Sequence, residues 1–199
     1  MEDNYVDFLK EDYQDYITTV TTQEMAASLE CSSFLLYLCD KISPRAVADF
    51  GSGFSSFALR KYRKHTGKLF TLKSIDTDKE WLKKTSHFIK RKGMVDSNLI
   101  LFKEFIEDLP IQFDLILFDI AYYQDGTRQN ILPMVLNNCV NENTNILFDD
   151  MQINHYFMFV LEKMFGLNFN MINTRHHTID NFGRFSILFN NLKNIEIKK

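Results

Sequence analysis

The sequence predicts an α/β domain built on a doubly wound sheet, and three observations predict it. Strand-like and helix-like stretches alternate five times from Ala46 to Phe165, and two more strands close the chain. The run FDLILF, Phe113–Phe118, is almost unbroken apolar, as expected for a central parallel strand covered on both faces. Five consecutive strands end in glycine or polar residues: Gly51–Gly53, Asp76, Glu104, Asp119, and Asp149 with Asp150. Open α/β sheets bind ligands beyond the carboxyl ends of their strands, so these positions draw attention together.

Taken in order, residues 1–22 are acidic with interleaved aromatics. Phe8, Tyr13 and Tyr16 make no clean apolar stripe, so this segment reads as a helix folded over the body, either loosely packed or serving as a lid. Thr22–Ile42 is helical by pattern, with Thr22 as its cap and Leu29, Phe34, Leu35, Leu38 and Ile42 on one side. Ala46–Phe50 is the first strand and runs into Gly51-Ser52-Gly53. The helix behind that turn carries Lys61, Arg63, Lys64 and His65, a basic run that reads as a solvated face. Leu69–Ile75 is the next strand and ends in Asp76. Lys79–Lys92 is a helix with Trp81, Leu82, Phe88 and Ile89 inward, stopped by Gly93. Leu99–Phe102, Phe113–Phe118 and Thr144–Phe148 are further strands; 129–140 and Tyr156–Phe165 are helices. Phe169–Thr174 and Phe185–Phe189 are the last strands, flanking the polar loop RHHTIDNFG. The expected organisation is therefore a lid-like segment 1–22, a body 23–192 and a basic tail 193–199.

Composition narrows the function classes. With 45% hydrophobic residues in 199, one substantial core is available. The net charge of −3 gives no basic field to draw the chain onto nucleic acid. Cys31, Cys39 and Cys139 form no CxxC and no even framework, so they read as reduced thiols of a cytoplasmic protein. The acidic start does not resemble a signal peptide, and no apolar run is long enough to span a membrane. Expected partners are a small-molecule acceptor, with a homodimer left open.

A glycine turn lets backbone approach a ligand closely, and the helix start behind it offers free amides. A dinucleotide fingerprint requires a third glycine where Ser56 stands, and the Gly-Lys-Ser/Thr of a P-loop is absent. Asp76 lies one strand–turn–helix–strand unit later, where a carboxylate can accept from both hydroxyls of a ribose. Asp119, Asp149 and Asp150 gather three carboxylates at neighbouring strand ends. Unneutralised, such a group is costly, so a cation is expected among them. No His/Cys spacing supports zinc, and no GxSxG supports hydrolysis.

The succession DFGSGFSS, IDTD, FDLILFD, ILFDD and two closing strands resembles the class I S-adenosylmethionine (SAM)-dependent methyltransferases over roughly residues 25–190. The resemblance implies a seven-stranded, mostly parallel Rossmann-like sheet with an antiparallel last strand. It implies that Asp49, Gly51, Ser52 and Gly53 cradle the methionine part of the cofactor and that Asp76 holds the ribose. Glu104 and Phe105 would lie near the adenine, and Asp119 would border the cofactor. Within that family the chain is most similar to the metal-dependent O-methyltransferases of the catechol, caffeoyl-CoA and macrocin type. On that likeness Asp119, Asp149 and Asp150 would hold Mg²⁺ or another divalent cation, three hard oxygen ligands that would let the ion grip and acidify an acceptor hydroxyl. Two departures stand out. The position of the usual lysine is Tyr122, which leaves the base open among Asp119, Tyr122, His155 and the His176-His177 pair. Asp-Asp also replaces the commoner Asp-Asn. The expected activity is O-methylation of a small phenol, sugar or natural product. Two alternatives compete with it. Asp119-Ile-Ala-Tyr122 has the spacing of an Asp-Pro-Pro-Tyr motif for N-methylation of a base, without its prolines. A catalytically inactive methyltransferase fold serving as a binding subunit is the other.

Overall fold

A computed structural model of the chain describes residues 5–121 and 126–190. Within them, seven strands form one sheet in the order β3-β2-β1-β4-β5-β7-β6. The strands are β1 (Ala46–Phe50), β2 (Thr71–Asp76), β3 (Leu99–Leu101), β4 (Leu115–Phe118), β5 (Asn145–Phe148), β6 (Asn170–Ile172) and β7 (Ile187–Asn190). The first five run parallel, and β7 is antiparallel to both β5 and β6. The doubly wound, mostly parallel seven-stranded sheet and its antiparallel last strand are as predicted.

The central strand β4, LILF, is a continuous apolar run because both of its faces are covered. Along β4, Leu115 and Leu117 join a core with helices α1 (Tyr5–Thr19), α2 (Leu29–Ile42) and α3 (Phe54–Thr66), whereas Ile116 and Phe118 face a second core. That second core includes residues of α6 (Thr127–Cys139) and α7 (Asn154–Gly166). Each side of the sheet buries one half of the alternation. The remaining helices are α4 (Lys79–Arg91), the single turns α5 (Phe102–Phe105) and α8 (Arg175–Thr178), and a 3₁₀ turn, Ile106–Asp108.

Two expectations change. Helix α2 starts at Leu29, not after Thr22: Ser28 is its N-cap, accepting from the Cys31 N–H at 2.9 Å. Residues 22–27 are freed to turn back over the carboxyl ends of the strands. The N-terminal segment is also better packed than a loose helix. Tyr5, Leu9, Tyr13 and Tyr16 recur at three- and four-residue spacing, and all are buried. Its acids are paired: Asp12 with Lys61 and Lys92, both at 2.7 Å, and Asp15 with Arg91 at 2.9 Å and Lys92 at 2.7 Å. Part of the basic run on α3 thus meets α1 instead of water.

Candidate functional site

Sheet register places the site. Phe50 pairs with Phe118 and Phe118 with Phe148, so Gly51, Asp119 and Asp149 follow side by side at one edge. Phe50 also pairs with Ile75, which sets Asp76 beside Gly51 on the other side. Strand order reverses between β1 and β4, the switch point at which doubly wound sheets open a crevice. A cleft of about 640 Å³ opens there. Gly51–Gly53, Asp76 and Trp81 wall one end, Asp119, Arg128, Asp149 and Asp150 the other, and residues 24–27 with Arg184 the rim.

The glycine turn is shaped by close approach of two strands. Gly51 has φ +107°, and a Cβ there would lie 2.6 Å from the Asp119 carbonyl oxygen. Its N–H donates to the Ile75 carbonyl at 2.8 Å. At Gly53 a Cβ would meet the Tyr16 hydroxyl at 3.3 Å, which brings α1 to the base of the turn.

Asp49 supports the turn from behind and forms no part of the cleft wall, contrary to the role implied by the resemblance. Its carboxylate accepts from the Ser55 hydroxyl at 2.9 Å and from Ser56, so it clamps the first turn of α3. Burial pushes its pKa up to about 6, against the lowering by those hydroxyls and by Arg60.

Asp76 does line the cleft. Its Oδ2 accepts from the Ser52 N–H at 2.8 Å and the Ser52 hydroxyl at 3.0 Å; its Oδ1 accepts from the Asp78 N–H at 3.0 Å. Burial raises its pKa, and these bonds oppose the rise. Oδ1 retains capacity for a ligand hydroxyl. Trp81, expected in the core, instead contributes to the wall and donates from its indole N–H to the Ser52 carbonyl. Glu104 is exposed on α5, and Phe105 is buried against Phe50 and Phe113, with centroids 5.4 and 6.4 Å away. Neither belongs to the cleft wall.

At the other end the expected cation is a side chain. Arg128, from the first turn of α6, is 3% exposed. It donates from Nη2 to Asp119 Oδ1 at 2.9 Å and from Nη1 to Asp150 Oδ2 at 3.1 Å. Nε donates to the Ile120 carbonyl at 3.0 Å, and Nη2 also reaches the Ala121 carbonyl at 2.8 Å. Burial would lower the Arg128 pKa, but Asp119, Tyr156, Asp150 and Asp149 together raise it. For Asp119, burial pushes the pKa well up; Arg128 opposes this while Asp149 and Asp150 add to it. Asp149 is held apart, its Oδ1 accepting from the Ser186 hydroxyl at 2.7 Å.

The ligand set implied for a metal therefore does not fit one. Two of its three carboxylates are ion-paired to a guanidinium. Among the described residues no three His, Cys, Asp or Glu side chains form a group able to hold a metal ion. Of the base candidates, His155 is exposed on α7 and outside the cleft wall. Tyr122 lies outside the described residues. His176 and His177 sit on α8 with ring centroids 3.9 Å apart, and the His177 ring stacks on Phe34, away from the cleft.

Two arginines escaped the sequence reading. An arginine in the first turn of a helix opposes the macrodipole by about 0.3–1 kcal/mol, so a nearby carboxylate was at most weakly signalled at Arg128. Arg184 binds Asp180 at 2.7 Å and donates to the carbonyls of Glu24 at 2.7 Å, Ala26 at 3.1 Å and Gln23 at 3.1 Å, strapping the rim in place. Nothing local in the sequence announces a contact across that separation.

No family model and no curated protein matches the sequence. Solved structures do match the fold. A methyltransferase of Podospora anserina with SAH bound has a TM-score of 0.66 and 15% identity, over 92% of this chain and 87% of that one. An O-methyltransferase of Bacillus cereus in complex with SAH has a TM-score of 0.61 and 11% identity, over 95% and 90%. The O-methyltransferase TomG of Streptomyces achromogenes, involved in tomaymycin synthesis and in complex with SAM, has a TM-score of 0.60 and 14% identity, over 95% and 89%. At these identities the likeness is one of fold.

Proposed function

We propose that this chain is a SAM-dependent methyltransferase that methylates a hydroxyl of a small acceptor. The observation that carries the reading is the alignment of Gly51, Asp76, Asp119 and Asp149 along one cleft at the switch point. Solved proteins of this fold hold SAM or SAH. On this reading the Gly51–Gly53 backbone seats the methionine part and Asp76 accepts from the ribose hydroxyls. Asp119 borders both halves of the cleft. When bound, SAM supplies an activated methyl group on a positive sulfur. The chain's part is then to orient an acceptor in line with that methyl and take its proton.

The acceptor end supports a hydroxylated molecule because Asp119, Asp149 and Asp150 present oxygens that accept from O–H donors. A cleft of about 640 Å³, shared with a cofactor, suits a small one. Asp149 is our choice of base, since Arg128 does not hold its carboxylate. No step runs through a divalent ion. The nucleic-acid alternative is not favoured: Asp119, which would have to receive the base's amino group, is ion-paired to Arg128.

The test is transfer of labelled methyl from SAM to a panel of phenols, catechols and sugars. Transfer to hydroxyl oxygen is expected, with Asp149→Asn lowering kcat at least tenfold and leaving SAM affinity within twofold. Methylation at nitrogen only, or unchanged kcat in Asp149→Asn, would refute the assignment.

A further inference from the structure

We infer that Arg128 is the resident cation of the acceptor end, and that its guanidinium closes this position to a divalent metal. The inference deepens the proposed function but rests on geometry that stands without it. Three carboxylates at adjacent strand ends demand a neutralising charge, and the chain supplies its own. Arg128 bridges Asp119 on β4's end and Asp150 on β5's end, at 2.9 and 3.1 Å. The backbone is bent to receive it. Its Nη2 and Nε reach the carbonyls of Asp119 and Ile120 at 3.2 and 3.0 Å, and Nη2 also takes that of Ala121. Ala121 and Asp150, two of its partners, both sit in the left-handed region, at φ +59° and +60°. Such conformations persist in non-glycine residues where the surroundings over-determine them. The side chain is nearly sealed, with its guanidinium 5.3 Å from the centroid of the Tyr156 ring.

A divalent ion binding here would need oxygens that the guanidinium already holds, and would set like charges against each other. Arginine stays protonated at any working pH, so this cation is permanent. A consequence for the acceptor follows. A metal chelates two neighbouring hydroxyls, whereas a guanidinium committed to two carboxylates does not, so a lone hydroxyl suffices and a catechol holds no special advantage.

The experiment titrates Mn²⁺ into the 199-residue chain, followed by electron paramagnetic resonance, and requires neither SAM nor turnover. Wild type is expected to show no Mn²⁺ site at millimolar ion. Arg128→Ala is expected to gain one that fills at an ion concentration at least tenfold below that limit, lost again when Asp150→Asn is added. A wild-type Mn²⁺ site abolished by Asp119→Asn or Asp150→Asn would overturn the inference, as would no gain in a folded Arg128→Ala. If Arg128→Ala does not fold, Arg128→Met takes its place, and the wild-type titration still decides whether the position is closed. Methyl transfer measured separately in chelator distinguishes the two claims. A protein that neither binds Mn²⁺ nor transfers methyl keeps the Arg128 assignment and loses the enzymatic one.

Discussion

Replacing Gly51 with alanine would stress the junction on which the whole cleft is built. The added Cβ would stand 2.6 Å from the Asp119 carbonyl oxygen and 2.7 Å from its carbon, both backbone atoms of a central strand end. Ordinary contact begins near 3.4 Å, so the ends of β1 and β4 would have to part by about 0.8 Å. Alanine would also have to adopt φ +107°, a strain of about 1–3 kcal/mol. Overpacking of this kind adds about 1–3 kcal/mol. The expected loss is about 2–6 kcal/mol, which in a chain of this size lowers Tm by roughly 4–24 °C. Urea unfolding and differential scanning calorimetry measure it, with Gly166→Ala as control. Gly166 ends α7 with nothing within 4 Å of a new Cβ, so that variant should stay within about 0.5 kcal/mol of wild type. If Gly51→Ala also stayed within about 1 kcal/mol, the strand ends would not meet as described.

Further expectations concern the turn's support and the rim. The Asp49 pKa is raised to about 6 from an ordinary 3.8, so the folded state holds its proton more tightly than the unfolded chain. Its contribution to stability should therefore fall as pH rises from about 4 to 6, by about 3 kcal/mol at 1.36 kcal/mol per unit. The wild-type minus Asp49→Asn difference in urea stability, followed across that window, should show this slope, and a flat difference would contradict it. Arg184→Ala should cost about 2–4 kcal/mol, because it leaves the Asp180 carboxylate without its cation and frees three carbonyls. Hydrogen exchange should accelerate in residues 23–27 before the sheet responds; uniform acceleration would mean that Arg184 is not a local strap.

What was readable in the chain follows from the range of the forces involved. Strands β1, β4 and β5 announce themselves because burial on both faces demands continuous apolar runs, and their ends are marked by glycine or aspartate. The order of the strands and the reversed β7 came only through family resemblance, since no local pattern encodes which strands pair. The burial of α1 was underestimated because its core residues include three tyrosines and its acids look solvated. Their partners Lys61, Arg91 and Lys92 lie some 50–80 residues away. The need for a cation beside Asp119, Asp149 and Asp150 was legible from charge alone. Its identity was not: a carboxylate cluster looks the same in sequence whether a metal or Arg128 will neutralise it.

The central claim is that the cleft at the β1–β4 switch point binds SAM through Asp76. Calorimetric titration of SAM and SAH against wild type and Asp76→Asn tests it directly. Wild type should bind both at about 1–100 μM, the ordinary range for enzyme substrates. Asp76→Asn should weaken binding about 10- to 100-fold, the worth of hydrogen bonds to a charged acceptor, with binding measured well below the variant's own Tm. Absence of binding at millimolar ligand, or equal affinity in the two proteins, would contradict the account.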